Sequence, residues 1–154
     1  MSRLPFVLFL GLAACSQRQP TPATASPSGP TAAKPPAPRQ TGQGYVVEVT
    51  APPAGVGAEV AARLTLKAVD GYHVNKDFPY SLKVSPPTGV EVVKAQQSVE
   101  DAIKLEDLEA AWDVKFTSQA AGDKKFAATF RFAVCTETSC DPKVEQLAWD
   151  VAVK

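Results

Sequence analysis

Regular alternation of apolar and other residues constrains the fold of this chain more than any other feature of its sequence. Apolar residues occupy every second position over residues 126–134, 147–153 and 60–68. Successive side chains of a β-strand point to opposite faces of its sheet, so a two-residue period predicts strands with one buried face. These three segments therefore predict a β-sheet protein.

Shorter segments raise the number of predicted strands to about seven. Turn sequences such as PPAG at 52–55 and PPTG at 86–89 separate them, and no segment shows a strong helical period. This pattern predicts an all-β fold, an immunoglobulin-like antiparallel β-sandwich, over residues 45–154. Trp112 and Trp149 lie in alternating segments and are expected in its core. The shorter strands are predicted at 45–50, 82–85, 90–94 and 112–117.

The segment 98–111 fits either a short helix or an irregular strand, and its sequence does not decide between the two. With Asp113 it holds six acidic residues against Lys104 alone. Such a run is expected to form a solvated face rather than a docking surface. The six acids are Glu100, Asp101, Glu106, Asp107, Glu109 and Asp113.

Residues 1–14 have the character of a secretory signal. Arg3 precedes a short apolar run that ends in small residues, and this run is too short to span a bilayer. The sequence Leu-Ala-Ala-Cys at 12–15 resembles the bacterial lipobox, which implies cleavage before Cys15 and acylation of that residue. Ser16, which follows it, is not the aspartate typical of inner-membrane retention. The resemblance thus implies an exported, lipid-anchored protein at the outer membrane, facing the periplasm.

The segment 15–44 is rich in Pro, Ala, Thr, Ser and Gln and has almost no large apolar residues. A segment of this composition cannot bury enough apolar surface to offset the entropy lost on ordering. We expect a disordered tether between the lipidated cysteine and the domain at 45–154.

Cys135 and Cys140 are separated by four residues and lie between two predicted strands. If Cys15 is acylated, this pair remains in an exported protein, which is the pattern expected for one disulfide. The pair would sit at a hairpin, where cross-strand distances suit a disulfide. The residues alone leave open whether this disulfide is a permanent staple or a redox couple.

Two motifs resemble those of periplasmic domains related to the amino-terminal domain of the thiol:disulfide interchange protein DsbD. The first is GYHVNKDFP at 71–79, and the second is CTETSCDP at 135–142. The resemblance implies an immunoglobulin-like fold and a catalytic pair in which Cys140 exchanges with partners and Cys135 resolves. It implies as partners a thioredoxin-like or membrane thiol reductase and exported disulfide proteins.

The chain departs from that family in two respects. The acidic segment 98–111 contains no Phe or Tyr that could form the aromatic cap of well-studied members. His73 and Asn75 stand where those members place aromatic hydroxyls, so neither inherits a role.

The alternative function is a non-enzymatic binding or structural module of the cell envelope with a permanent Cys135–Cys140 disulfide.

Charge and motif content argue against several other functions. Residues 45–154 carry twelve basic and sixteen acidic residues, a formal charge of −4, which disfavours a nucleic-acid surface. His73, the single histidine, is expected to be a partly buried polar residue at a strand end rather than a metal ligand with the cysteines. We expect no cofactor and no metal.

The charges beside the cysteines bear on their reactivity. Glu137 and Asp141 flank the cysteines and should disfavour a thiolate, and only Lys143 opposes them.

The lipobox resemblance predicts the effect of replacing Cys15. A Cys15→Ala variant should lose lipid labelling, and any exported product should leave the membrane fraction, because the acylated thiol would be absent. Metabolic labelling with a fatty acid and membrane fractionation measure both effects. Labelling that persists in the variant would contradict the assignment of Cys15.

Overall fold

Two antiparallel β-sheets form the architecture of the computed structural model, which describes residues 37–154. One sheet has the strand order β1-β2-β3-β9-β6, with β8 paired to β9. The other has the order β11-β10-β5-β7, with β4 paired to β10. The strands are β1 (Arg39–Gly42), β2 (Tyr45–Thr50), β3 (Glu59–Ala68), β4 (His73–Val74), β5 (Ser81–Ser85), β6 (Val90–Val92), β7 (Gln96–Gln97), β8 (Lys104–Leu105), β9 (Glu109–Ser118), β10 (Gly122–Cys135) and β11 (Cys140–Val153).

The prediction of an immunoglobulin-like antiparallel β-sandwich is confirmed. All seven segments predicted as strands contain strands of the structure, and the alternating positions of β10 and β11 are buried on one face as expected. Within residues 37–154 no helix is long and apolar enough to cross a membrane.

The hairpin of β10 and β11 is longer than the alternation alone predicted. The two strands pair over fourteen residues each, from Gly122 opposite Val153 to Cys135 opposite Cys140. The prediction began the second strand at residue 147, because Pro142 and the charged residues before 147 obscure the alternation there. The disulfide therefore lies at one end of a continuous ladder.

The ordered sheet begins before the predicted domain start at Tyr45. Strand β1 lies within the predicted tether 15–44 and pairs antiparallel with β2. Its residues are polar or small, so no alternation of apolar residues indicated a strand here. Gln40 is its one buried residue. Gln40 donates from Nε2 to the backbone oxygen of Gln146 at 3.1 Å. The predicted signal at 1–14, Cys15 and most of the tether lie outside the described residues.

The segment 98–111 combines both structures that the sequence left open. It contains a single 3₁₀ turn at Val99–Asp101, the short strand β8 and the start of β9. Five of its six acids form ion pairs, and three of the cations come from outside the segment. The pairs are Asp101 with Lys94, Asp107 with Lys76, Glu106 and Glu109 with Lys104, and Asp113 with Arg63.

Aromatic side chains fill the space between the two sheets. Phe130 on β10 contacts Trp112 on β9 with ring centroids 5.1 Å apart, and Phe132 at 5.0 Å. Phe126 lies 5.2 Å from Trp149 in a stacked arrangement. Both tryptophans are buried, as the sequence predicted. The core thus depends on rings from both sheets rather than on the cysteines.

This packing predicts the effect of replacing Phe130. A Phe130→Ala variant should lose about 3 to 5 kcal/mol of the free energy of unfolding, because a fully buried ring leaves a cavity between the sheets. The matched control is Val144→Ala, whose side chain is exposed and whose loss should change that free energy by less than about 0.5 kcal/mol. Urea unfolding followed by tryptophan fluorescence measures both. Equal effects of the two replacements would contradict the described core.

Candidate functional site

A disulfide joins Cys135 and Cys140 at the end of the β10–β11 hairpin. The two residues are direct partners in the register, with an S–S distance of 2.03 Å and a Cα–Cα distance of 4.0 Å. Both predicted site residues are therefore brought together. Because residues opposite each other on paired strands point to the same face, the register itself places the two sulfurs in contact.

The connecting turn is held by its own hydrogen bonds. The Thr136 N–H donates to the Ser139 oxygen at 2.8 Å. The Thr136 hydroxyl accepts from the backbone N–H groups of Thr138 at 3.4 Å and Ser139 at 3.2 Å. These contacts close the turn without help from the sulfurs.

The two cysteines differ sharply in exposure. Cys135 is only 2 % exposed, because β10 lies between β11 on one side and β4 on the other. Its partner in the register on the β4 side is His73. Cys140 lies on β11 and is exposed. A second protein can therefore approach the sulfur of Cys140 far more easily than that of Cys135.

A shallow opening lies beside the disulfide. The segment that follows β4 forms one wall, and Asp107, between β8 and β9, contributes from the other sheet. Asp107 comes from the acidic segment, so a carboxylate rather than an aromatic ring stands at this opening. The lining residues are His73, Val74, Asn75, Lys76, Asp77, Asp107, Cys135 and Cys140.

An ion pair crosses this opening. Lys76 Nζ lies 2.7 Å from Asp107 Oδ1, and both side chains are well exposed. The hydrogen bond and the charge of Asp107 raise the pKa of Lys76, and Lys76 in turn lowers the pKa of Asp107. The charges of Lys76 and Asp107 therefore offset each other. The ammonium of Lys76 does not act on the sulfurs as an isolated positive charge.

Asn75 contacts the disulfide directly. Its Nδ2 lies 3.6 Å from Cys140 Sγ, within the range of an N–H···S hydrogen bond. The sequence assigned no role to Asn75. The signal that could have indicated one is the Asn-Lys-Asp sequence at 75–77, which is typical of a turn closed by the asparagine side chain.

The charges of the hairpin follow the sequence-based expectation in part. Asp141 forms an ion pair with Lys143, the cation that was expected to oppose it. Glu137 is exposed in the turn. The effect of these carboxylates on a cysteine thiolate stays a prediction.

His73 differs from its predicted environment. It begins β4 as a strand-end residue, but its side chain is exposed rather than partly buried, because β4 ends the pairing on that side of β10. Among residues 37–154, no group of three or more His, Cys, Asp or Glu side chains is arranged to hold a metal ion.

Comparisons with known proteins do not place the chain in a family. No family model matches it, and no curated protein matches it. Several solved structures are similar to this chain, and three of them match 71 % of it. The first is native alpha-2-macroglobulin from Escherichia coli, from domain MG7 to the C-terminus, with 12 % identity and a TM-score of 0.47; the match spans 16 % of that chain.

The other two structures are matched over nearly their full length. A conjugative transposon lipoprotein from Bacteroides eggerthii has 16 % identity and a TM-score of 0.39, with 98 % of it covered. The major subunit of aggregative adherence fimbriae type I from Escherichia coli has 11 % identity and a TM-score of 0.36, with 95 % covered. The class of this protein, an immunoglobulin-like β-sandwich with one cross-strand disulfide, therefore follows from its own sheets and register.

Proposed function

We propose that this protein is a thiol-disulfide exchange protein whose Cys135–Cys140 pair carries two electrons between protein partners. The observation that supports this most directly is the pairing of one exposed cysteine with one buried cysteine in the same disulfide. Such a pair offers a partner one defined point of attack and keeps the second sulfur within reach to resolve the product.

The exposure of the cysteines gives each a role. A partner thiolate attacks Cys140 Sγ, the bond to Cys135 breaks, and Cys135 leaves as a thiolate that takes up a proton. The partner's second thiol, after losing its proton, then attacks the partner sulfur of the mixed disulfide, so that Cys140 is released. The partner dithiol is oxidised by two electrons, and the Cys135–Cys140 disulfide is reduced to two thiols. Exchange depends on the attacking thiolate and on access to the attacked sulfur.

The disulfide contributes little as a staple. Closing a loop of roughly six residues is worth only about 2 kcal/mol in the chain-entropy model. Thirteen further pairs of the β10–β11 register and the aromatic core hold the hairpin without it. The reduced domain should therefore stay folded, as an electron carrier requires. A permanent disulfide in a binding or structural module is the alternative that the experiments below test.

The meeting of the two sequence motifs supports the proposed resemblance to DsbD-related domains. His73, of the first motif, is the register partner of Cys135, of the second, although they lie 62 positions apart in the chain. Gly71, the first residue of the first motif, and Asp70 just before it have positive φ values of 80° and 55°. Glycine adopts this conformation without strain, and the turn directs the chain into β4.

The proposed place of this exchange is the bacterial envelope. The lipobox resemblance at Cys15 supports a lipid anchor, and Ser16 after it supports placement in the outer membrane, with the domain facing the periplasm. The proposed electron donor is a thioredoxin-like or membrane thiol reductase, and the proposed acceptors are exported disulfide proteins. No cofactor is needed, because the electrons travel in the sulfur bonds themselves.

Trapping of a mixed disulfide tests this function. A Cys135→Ala variant whose Cys140 carries a thionitrobenzoate leaving group should accumulate a mixed disulfide through Cys140 with a thioredoxin-like protein whose second cysteine is replaced by alanine, because neither protein then has a resolving thiol that could release the other. Non-reducing gels and mass spectrometry of the Cys140 peptide identify the product.

The control for trapping is the opposite replacement. A Cys140→Ala variant should trap at least about tenfold less, because the buried Cys135 is out of reach of a partner. Trapping by neither variant, or equal trapping by both, would contradict the proposed roles.

A further inference from the structure

We infer that Asn75 is a further catalytic residue of this site, which stabilises the thiolate of Cys140 when the domain is reduced. The inference rests on the proposed exchange function and adds a residue to it. It follows from the contact of Asn75 Nδ2 with Cys140 Sγ at 3.6 Å, a contact between residues 65 positions apart.

A hydrogen bond to the oxygen of the Asn75 side-chain amide fixes the orientation of that amide. Asn75 Oδ1 accepts a hydrogen bond from the backbone N–H of Asp77 at 3.0 Å. A flipped amide would place its NH₂ group against that N–H donor, so the oxygen must face Asp77. The N–H donors of the amide therefore face Cys140.

The backbone of Asn75 is held to the core of the domain. Its N–H donates to the Ala133 oxygen on β10 at 3.2 Å. Its carbonyl oxygen accepts from the Tyr80 hydroxyl at 2.8 Å. Tyr80 is buried and its ring lies 5.2 Å from that of Trp112. Burial raises the pKa of Tyr80, so its hydroxyl stays protonated and remains a donor. A polar group held in this way is preorganised for the sulfur that it contacts.

The contact distinguishes the two sulfurs. A hydrogen bond to the charged form of an acid favours that form and lowers its pKa. Asn75 contacts Cys140 and thus favours charge on the exposed sulfur, which is the sulfur that can meet a partner. Cys140, rather than Cys135, is then the attacking thiolate of the reduced domain.

The exchange requires no reagent besides the reduced domain and the substrate disulfide. The Cys140 thiolate attacks a disulfide of an exported protein, a Cys140–substrate bond forms, and the other substrate sulfur leaves as a thiolate. Cys135 loses its proton and attacks Cys140 Sγ, which restores the Cys135–Cys140 disulfide and releases the second substrate sulfur. The substrate gains two electrons and two protons, and the domain is oxidised.

The charges around Cys140 oppose one another, whereas the amide of Asn75 is a neutral donor. Lys76 is paired with Asp107, and Lys143 is paired with Asp141. The other carboxylates near the cysteines are expected to disfavour a thiolate, and the donor of Asn75 would act against them. The titratable groups that line the opening beside the cysteines are His73, Lys76 and Asp77 after β3, and Asp107 before β9. Asp141 and Lys143 alternate with Cys140 along β11 and therefore point to the other face of the sheet, and Glu137 is exposed in the turn.

Alkylation of Cys140 as a function of pH tests this inference. The full chain is used in a Cys135→Ala background, with and without Asn75→Ala, and iodoacetamide labelling of the Cys140 peptide is quantified by mass spectrometry. The loss of Asn75 should raise the pH midpoint of labelling by about one unit, because a hydrogen bond to a charged group is worth roughly that much. Below the midpoint the labelling rate should fall about tenfold.

Two further variants separate the hydrogen bond from the shape of the turn. Asn75→Asp keeps the acceptor for the Asp77 N–H but has no donor for the sulfur, so it should raise the midpoint at least as far as Asn75→Ala. Asp77→Ala removes a nearby carboxylate and keeps the backbone N–H that orients Asn75, so it should not raise the midpoint.

An unchanged midpoint in Asn75→Ala would overturn the inference, as would a midpoint in Asn75→Asp equal to that of the background chain. The labelling needs no protein partner, so its outcome is independent of trapping. Failure to trap a partner would overturn the exchange function, whereas an unchanged midpoint would overturn only the role of Asn75.

Discussion

The fourteen-residue pairing of β10 with β11 is the interaction on which the site depends. Every second residue of β10 from Phe126 to Val134 faces the core, so the intervening positions, including Cys135, face the other way. The same register places Cys140 opposite Cys135. A slip of one residue would turn the aromatic residues away from the core and separate the sulfurs. Core packing and site geometry are therefore fixed together.

The position of β10 within its sheet explains why the two cysteines differ. β10 has neighbours on both sides, and the segment from His73 to Asn75 adjoins its end. Cys135 is buried by this arrangement, whereas Cys140 lies on β11 with its side chain exposed. The same segment delivers the amide of Asn75 to the exposed sulfur. The burial of Cys135, the accessibility of Cys140 and the hydrogen bond from Asn75 thus all depend on the segments that lie beside β10.

The sequence predicted the sandwich because its long strands alternate clearly and its turns contain Pro and Gly. It missed β1, because Arg39–Gly42 is polar or small and is defined by pairing with β2 rather than by a buried face. It predicted the cysteine pair from spacing, because the two residues are close along the chain. It could not predict the contact of Asn75 with Cys140, or the pairing of Lys76 with Asp107, because both join segments far apart in sequence.

In the proposed function, Cys135 and Cys140 form an exchanging couple rather than a permanent staple. The most direct measurement is the reduction potential of this disulfide, by equilibration with glutathione and dithiothreitol buffers while circular dichroism follows the fold. Structural disulfides of exported proteins commonly have potentials below about −300 mV, and exchanging ones lie higher. We expect a potential above that value and a reduced domain that keeps its β-structure. A potential below it, with unfolding on reduction, would show that the disulfide is a permanent staple.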